Sequence, residues 1–326
     1  MKKVLGIDIG GTKCTVSLGE IDSDGIPSVI AKNILQTSAH PDPYQLIKRM
    51  QDEIESLLTY HITDSDKLSS IGISCGGPLD STRGIILSPP NLPGWDNIHI
   101  AELFQKKYNV PVFLQNDANA CALAEWKFGA GRGYRNIIFL TFGTGLGAGL
   151  ILDGKLYTGT NDMAGEVGHI RLENFGPVGY GKAGSFEGFC SGGGIAQLAQ
   201  SKVREKLQMG EPVSFCKSMN EISTITALIV AEAARNGDQL AKEIYNICGT
   251  YFGKGISILI DILNPELIII GSIFVRSADL LLPVIERTVK VESLFLSREA
   301  CRIVPAGLGE SLGDYAALSV AIYQDK

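Results

Sequence analysis

Two glycine-rich turns, with one aspartate between them along the chain, carry most of the chemistry legible in this 326-residue sequence. Asp8-Ile9-Gly10-Gly11-Thr12-Lys13 follows the apolar run Val4 to Ile7. Gly143-Thr144-Gly145-Leu146-Gly147-Ala148-Gly149 follows Ile137 to Leu140. Each turn leads into a second apolar run, so each reads as a β-hairpin. Glycine lets backbone N–H groups ring an anion where side chains would block the approach. Two such turns suggest two phosphate clamps closing on one nucleotide from opposite sides. At the first, Asp8 can meet hydrated Mg²⁺, while Thr12 offers a hydroxyl and Lys13 a cation to a phosphate. Either turn taken alone also fits a tight hairpin that uses glycine for its positive φ, with no ligand. Neither is a Walker A loop, since no GxxxxGK[ST] occurs. Neither is a Rossmann fingerprint, because the glycines join two strands rather than a strand and a helix.

Asp117 lies in Asn116-Asp117-Ala118-Asn119-Ala120, directly after the apolar segment Val112 to Gln115. That places it at the C-terminal end of a strand and in the first turn of a helix. An aspartate there serves as a helix cap. It also serves as a general base that takes a hydroxyl proton as the oxygen attacks a γ-phosphorus. Open α/β sheets gather ligands at such strand ends. Gly165-Glu166-Val167-Gly168-His169 sets an acceptor and a donor between glycines, a pair suited to several sugar hydroxyls. Glu187 follows in Gly184-Ser185-Phe186-Glu187-Gly188, where a solvated loop carboxylate is the plain alternative.

These groups need a scaffold, and the pattern supplies an α/β one. Strands are expected at Lys3–Asp8, Thr12–Glu20, Pro27–Gln36, Leu68–Cys75, Val112–Gln115 and Glu266–Ile270, and two more flank the second glycine turn. Helices are expected at 43–60, 98–108, 117–128, 238–263 and 309–323, with Pro43 at the first turn of the earliest. Residues 164–191 have weak periodicity and read as an ordered functional loop. Strands and helices alternate, and the order βββαβαβα begins twice, at Val4 and at Asn136. That implies a tandem pair of similar domains with a seam near Gly129-Ala130-Gly131.

The composition narrows the function classes. The formal net charge is −6, against a non-specific nucleic-acid binder. Seven scattered cysteines form no CxxC pair and read as reduced thiols. The N-terminal apolar run stops at Asp8, too soon for a secretion signal. The most apolar window, Ile256 to Ile273, is broken by Asp261, Asn264, Pro265 and Glu266, so no membrane span is expected. A cytoplasmic protein is the expectation.

Taken together and in order, Asp8–Thr12, Gly76-Gly77-Pro78-Leu79-Asp80, Asn91-Leu92-Pro93-Gly94-Trp95, Asn116–Asn119, Gly143–Gly149 and Gly165–His169 resemble the ROK family (repressors, open reading frames and kinases). The likeness runs from Asp8 to Leu312-Gly313-Asp314. It implies an actin-like ATPase fold of two domains with a ribonuclease-H-like core, and nucleotide and sugar in the interdomain cleft. The domain ranges it implies are 1–118 plus 310–326, and 119–309. It implies ATP- and Mg²⁺-dependent phosphorylation of a hexose, usually at O6, as in a glucokinase. An N-acetylhexosamine substrate, or a sugar sensor of the same fold without transfer, are the alternatives. By this resemblance Asp117 is the base. Gly77, Asn91, Asn116, Glu166, His169 and Glu187 face the sugar. Asp8, Gly10, Gly11, Thr12, Lys13, Gly143, Thr144 and Gly145 line the phosphates, and Gly271 the adenosine. A homodimer or tetramer is implied, with no nucleic-acid or membrane partner. The helix-turn-helix of the family's repressors is not expected, because Asp8 stands eight residues from the start.

Two departures stand out. Many relatives carry a CxCGxxGCxE zinc motif before the sugar-facing glutamate. Here Val178, Tyr180 and Ser185 stand at the thiol positions, and His169 alone cannot hold zinc, so no structural zinc is expected. Gly271-Ser272-Ile273 replaces a glycine run at the adenosine side, which leaves the nucleotide preference open.

Overall fold

Strand β1 (Lys2–Ile9) is buried on both faces from Val4 to Ile7, so its apolar run is continuous rather than alternating. These coordinates come from a computed structural model that describes residues 2–62 and 67–323. Residues 1, 63–66 and 324–326 of the expected domain ranges lie outside the described residues. Strand β2 (Lys13–Ile21) pairs antiparallel with β1, Asp8 opposite Thr15, and β3 (Pro27–Gln36) extends the meander. Helix α1 (Pro43–His61) starts where the Asp42 carboxylate accepts from the N–H groups of Tyr44 and Gln45, with Pro43 in the first turn. One face buries Leu46, Ile47, Met50, Ile54 and Leu57, each worth about 1.5–3 kcal/mol of transfer free energy.

Strand β4 (Lys67–Cys75) runs parallel to β1, Asp8 opposite Ser74. A small hairpin of β5 (Leu79–Asp80) and β6 (Ile85–Ile86) follows, then helix α2 (Ile100–Tyr108). Strand β7 (Val112–Asn116) runs parallel to β4, Ser74 opposite Gln115, and leads without a loop into α3 (Asp117–Phe128). The sheet order is β3-β2-β1-β4-β7.

The later part of the chain builds the same pattern. Strands β8 (Ile137–Phe142), β9 (Leu146–Leu152) and β10 (Lys155–Tyr157) come first. The short pair β11 (Val178–Gly179) and β12 (Lys182–Ala183) follows, antiparallel. Helices α4 (Phe186–Phe189), α5 (Gly192–Gln208), α6 (Ala227–Arg235) and α7 (Gln239–Leu263) precede β13 (Leu267–Ile270). Next come α8 (Ile273–Glu292), α9 (Phe295–Glu299), β14 (Arg302–Pro305) and α10 (Leu312–Ile322). The second sheet is ordered β10-β9-β8-β13-β14. Counted within its own strands, each sheet therefore reads 3-2-1-4-5, which is the repeat expected from Val4 and Asn136.

Two compact units emerge. One holds Met1–Arg135, Gly149–Ala164 and Gly307–Lys326; the other holds Asn136–Ala148 and Gly165–Ala306. This differs from an expected break at 118/119, because α3 belongs with the first unit. Its packing partner is α10, far along the chain, so nothing local announces the assignment. The first sheet is sandwiched. Helices α1 and α2 supply Leu46, Met50, Ile54 and Phe104 to one core, while Leu318 and Ala321 of α10 cover Val4 on the other face. Residues 164–191, expected as a loop, contain β11, β12 and the one-turn α4. No described helix is long and apolar enough to cross a membrane.

Candidate active site

In the first unit the parallel strands β1, β4 and β7 end side by side. Asp8, Ser74 and Gln115 form one row of the ladder, and Ile9, Cys75 and Asn116 the next. Two strand spacings, about 10 Å, separate the backbones at Asp8 and Gln115. The glycine turn closes through Gly10 N–H donating to Lys13 C=O at 3.0 Å. Thr37 secures it, its hydroxyl donating to Gly10 C=O at 2.6 Å and its N–H to Thr12 C=O at 2.9 Å. Lys13 is the first residue of β2, and Gly11, Thr12 and Lys13 are exposed. A Cβ on Gly11 would stand 2.6 Å from Asn91 C=O. Only glycine admits the Asn91 loop that close, so the turn and Asn91 are neighbours.

Asn116 caps α3, its Oδ1 accepting from Ala118 N–H at 2.9 Å. Gly77 lies against Asn116, since a Cβ there would stand 3.2 Å from Asn116 Nδ2. The Asp117 Oδ1 also accepts from Ala118 N–H, at 2.8 Å. The first unit thus brings together Asp8, Gly10 to Lys13, Gly77, Asn91, Asn116 and Asp117. Capping is shared by Asn116, so Asp117 is not needed for that role alone.

Both carboxylates are electrostatically uneasy. Burial pushes Asp8 up to about 6, against a hydrogen bond from Ser74, and the negative charges of Asp117 and Asp314 add to the rise. Burial also raises Asp117, opposed by backbone N–H groups of Ala118 and of Asp117 itself. Solvent still reaches the Asp117 side chain, which marks a concave setting rather than a sealed one. The sign for Asp8 follows from linkage. Its folded pKa lies above the ordinary 3.8, so the native state holds a proton that the unfolded chain releases. Stability therefore falls as pH rises through roughly 4 to 6. Asp8→Asn is expected to melt above the wild type at pH 7.5, with the gap closing below pH 4. Thermal melts of both proteins across that range check it, and equal melting at pH 7.5 contradicts it.

The second unit holds the remaining candidates. Gly143 N–H donates to Gly145 C=O at 3.1 Å, and Gly143 C=O accepts from Gly192 N–H at 2.8 Å, tying the turn to the start of α5. Thr144 is exposed. Gly271 N–H donates to Leu140 C=O at 3.0 Å. A Cβ on Gly271 would press on the Phe139 ring at 2.9 Å, so packing alone explains that glycine. Glu166 and His169 bracket a single 3-10 turn, Val167–His169, and both are exposed.

Glu187 is engaged rather than simply presented to solvent. Its Oε2 accepts from Leu146 N–H at 3.0 Å. Its Cβ is flanked by two glycine backbones: added Cβ atoms would stand 3.2 Å away at Gly168 and 2.8 Å away at Gly179. The carboxylate therefore links the 165–188 region to the second glycine turn.

Where thiols were missing, other chemistry holds the chain. Ser185 Oγ accepts from Gly188 N–H at 3.0 Å, and the Tyr180 and His169 rings meet edge to face at 6.3 Å. Among the described residues no three His, Cys, Asp or Glu side chains gather as a metal site.

Sequence reasoning missed four participants. Ser74 touches Asp8, and the signal was its register opposite Asp8. Asp314 accepts from Lys32 Nζ at 2.6 Å and acts on Asp8 through space. Asp162 accepts from the N–H and hydroxyl of Ser81 at 2.7 and 2.8 Å, fastening the loop after Gly77. Glu125, in the middle of α3, is fully buried. The last three carry no local signal.

Strand order, the aspartates at the parallel-strand ends and the glycine turns define a two-domain actin-like ATPase fold. The ROK family model matches residues 4–323, and the chain belongs to the ROK family. It is 32% identical over 280 residues to a glucokinase of Thermotoga maritima, covering 86% of this chain and 84% of that protein. Its fold is similar to a ROK family glucokinase of Streptomyces griseus solved with glucose and AMPPNP: TM-score 0.74, 27% identity, 98% and 99% of the two chains covered. It is also similar to a ROK family transcriptional regulator homologous to Escherichia coli Mlc: TM-score 0.83, 28% identity, 98% of this chain and 78% of that one.

Proposed function

We propose that this protein is an ATP-dependent sugar kinase that phosphorylates a hexose, at O6 by preference. The observation that carries the reading is the placement of Asp117 in the first turn of α3, in the same unit as Asp8 and the first glycine turn. Asp117 orients the sugar hydroxyl and takes its proton as the oxygen attacks the γ-phosphorus; the bond to the β-phosphate oxygen breaks and ADP leaves. Asn91, Asn116, Glu166, His169 and Glu187 hold the sugar hydroxyls. Backbone N–H groups of Gly11 and Thr12 and of Thr144 and Gly145, with Lys13, receive the phosphates, since Gly10 and Gly143 donate within their own turns. Asp8 is a hard oxygen donor in an acidic setting, which fits a hydrated Mg²⁺ held partly by the nucleotide phosphates. That ion would neutralise charge on the transferring group.

A coupled ADP-release screen over about a dozen hexoses and N-acetylhexosamines tests the reading. Sugar-dependent ADP release with one favoured sugar is the expected result. The similarity to a transcriptional regulator favours a second reading, a sugar sensor without transfer. Sugar binding without ADP release would replace the first reading by that one. The loop chemistry at 178–185 also carries an expectation. Elemental analysis of the purified protein should show no stoichiometric zinc, and zinc bound at His169 would overturn it.

A further inference from the structure

Strand β11 is an edge strand two residues long, and its outer side is not left to water. The Gln197 side chain, one turn into α5, covers it. Gln197 Oε1 accepts from Val178 N–H at 3.0 Å, and Gln197 Nε2 donates to Val178 C=O at 2.9 Å. One amide thus supplies both halves of a β-bridge, which fixes its orientation. On its inner side Val178 faces Ala183 of β12. Strand β12 is fastened in turn: Arg171 donates to Ala183 C=O at 2.7 Å, and Lys182 Nζ to His169 C=O at 2.7 Å.

The clasp reaches Glu187 in one step. The backbone of Gly179, next to Val178, rests directly on Glu187: a Cβ there would stand 2.8 Å from Glu187 Cβ and 2.6 Å from Gly188 N. The opposite side of Glu187 is backed by Gly168. Moving β11 outward would therefore release Glu187, whose carboxylate is tied to Leu146 N–H. Helix α5 is itself anchored at the second glycine turn by Gly192, so Gln197 holds β11 from a fixed base.

We propose that Gln197 is a positioning residue: its amide clamps β11 against Glu187, and so holds the Glu187 carboxylate in place. Its bearing on sugar binding rests on the kinase reading; the clamp does not. Gln197 is exposed and lies outside the candidate machinery, so Gln197→Ala is expected to fold.

The test is amide hydrogen exchange on the full chain, with kinetics beside it. In Gln197→Ala, exchange at Val178 should rise about tenfold, the worth of one hydrogen bond. Exchange at Leu146 should also rise, although it is 51 positions away (197 − 146), because its acceptor has loosened. Gln197→Glu keeps an acceptor for Val178 N–H but loses the donor to its carbonyl, so it should restore protection at Val178 in part. The sugar KM of Gln197→Ala should rise about tenfold with kcat changed less than threefold, as for lost ground-state binding. Faster exchange at Val178 with Leu146 unchanged would overturn the proposal, leaving Gln197 a support of the hairpin only. Unchanged exchange at both would overturn it as well. A wild type that releases no ADP with any sugar refutes the kinase reading, while the Leu146 result still decides the clamp.

Discussion

Asp117→Asn is expected to cut turnover by roughly 10²–10⁴-fold, the usual range for a lost general base. Asparagine keeps the shape and keeps an oxygen for the Ala118 N–H that Asp117 now accepts. Asn116 continues to cap α3. The helix and the sugar contacts therefore stay in place, and only proton acceptance is lost. Burial raises the Asp117 carboxyl above its ordinary range, which strengthens it as a base. Sugar affinity measured by calorimetry should change less than about threefold, since the interaction lost belongs to the transition state. Near-wild-type turnover would remove Asp117 from the role.

The second large effect concerns Glu125. This carboxylate is fully buried and collects three backbone donors. Oε2 accepts from Ala130 N–H at 2.8 Å and Gly307 N–H at 3.0 Å, and Oε1 from Leu308 N–H at 2.9 Å. Its own carbonyl accepts from Gly129 and Gly131. One side chain therefore ties the end of α3 to the segment that leads into α10. Glu125→Ala strands three buried N–H groups, each costing about 1–3 kcal/mol. A loss of at least about 3 kcal/mol is expected, seen as a fall in melting temperature of roughly 6–12 °C. Glu125→Gln should fall between, because its amide NH₂ would face N–H groups that need an acceptor. Thermal melts followed by circular dichroism check both. A Glu125→Ala protein melting within about 2 °C of wild type would show that water or a shifted backbone replaces the carboxylate.

Local patterns made half of this site readable. The first turn, Asp8 and the start of α3 at Asp117 follow from short apolar runs broken by glycine or by a capping pair, signals that lie within a few residues. The strands of the first meander were legible to within a residue or two for the same reason. What was not legible depends on contacts between distant segments. Glu125 in α3 resembles any helical glutamate, because its three partners are set by the fold. The 164–191 glycines read as a functional loop, whereas Gly168 and Gly179 are there to let backbone pack on Glu187. Glu187 itself read as sugar-facing or solvated, and its tie to Leu146 depends on a turn some 40 positions earlier. The assignment of α3 to the first unit needed α10, the last helix.

That last helix has a consequence for synthesis. One face of the first sheet is covered by Leu318 and Ala321, residues that leave the ribosome long after the strands they cover. Until then Val4 and its neighbours lack their lid. The first unit thus cannot close before α10 has emerged, and a nascent chain stalled before residue 312 would carry a greasy, unfinished surface of the kind that chaperones recognise.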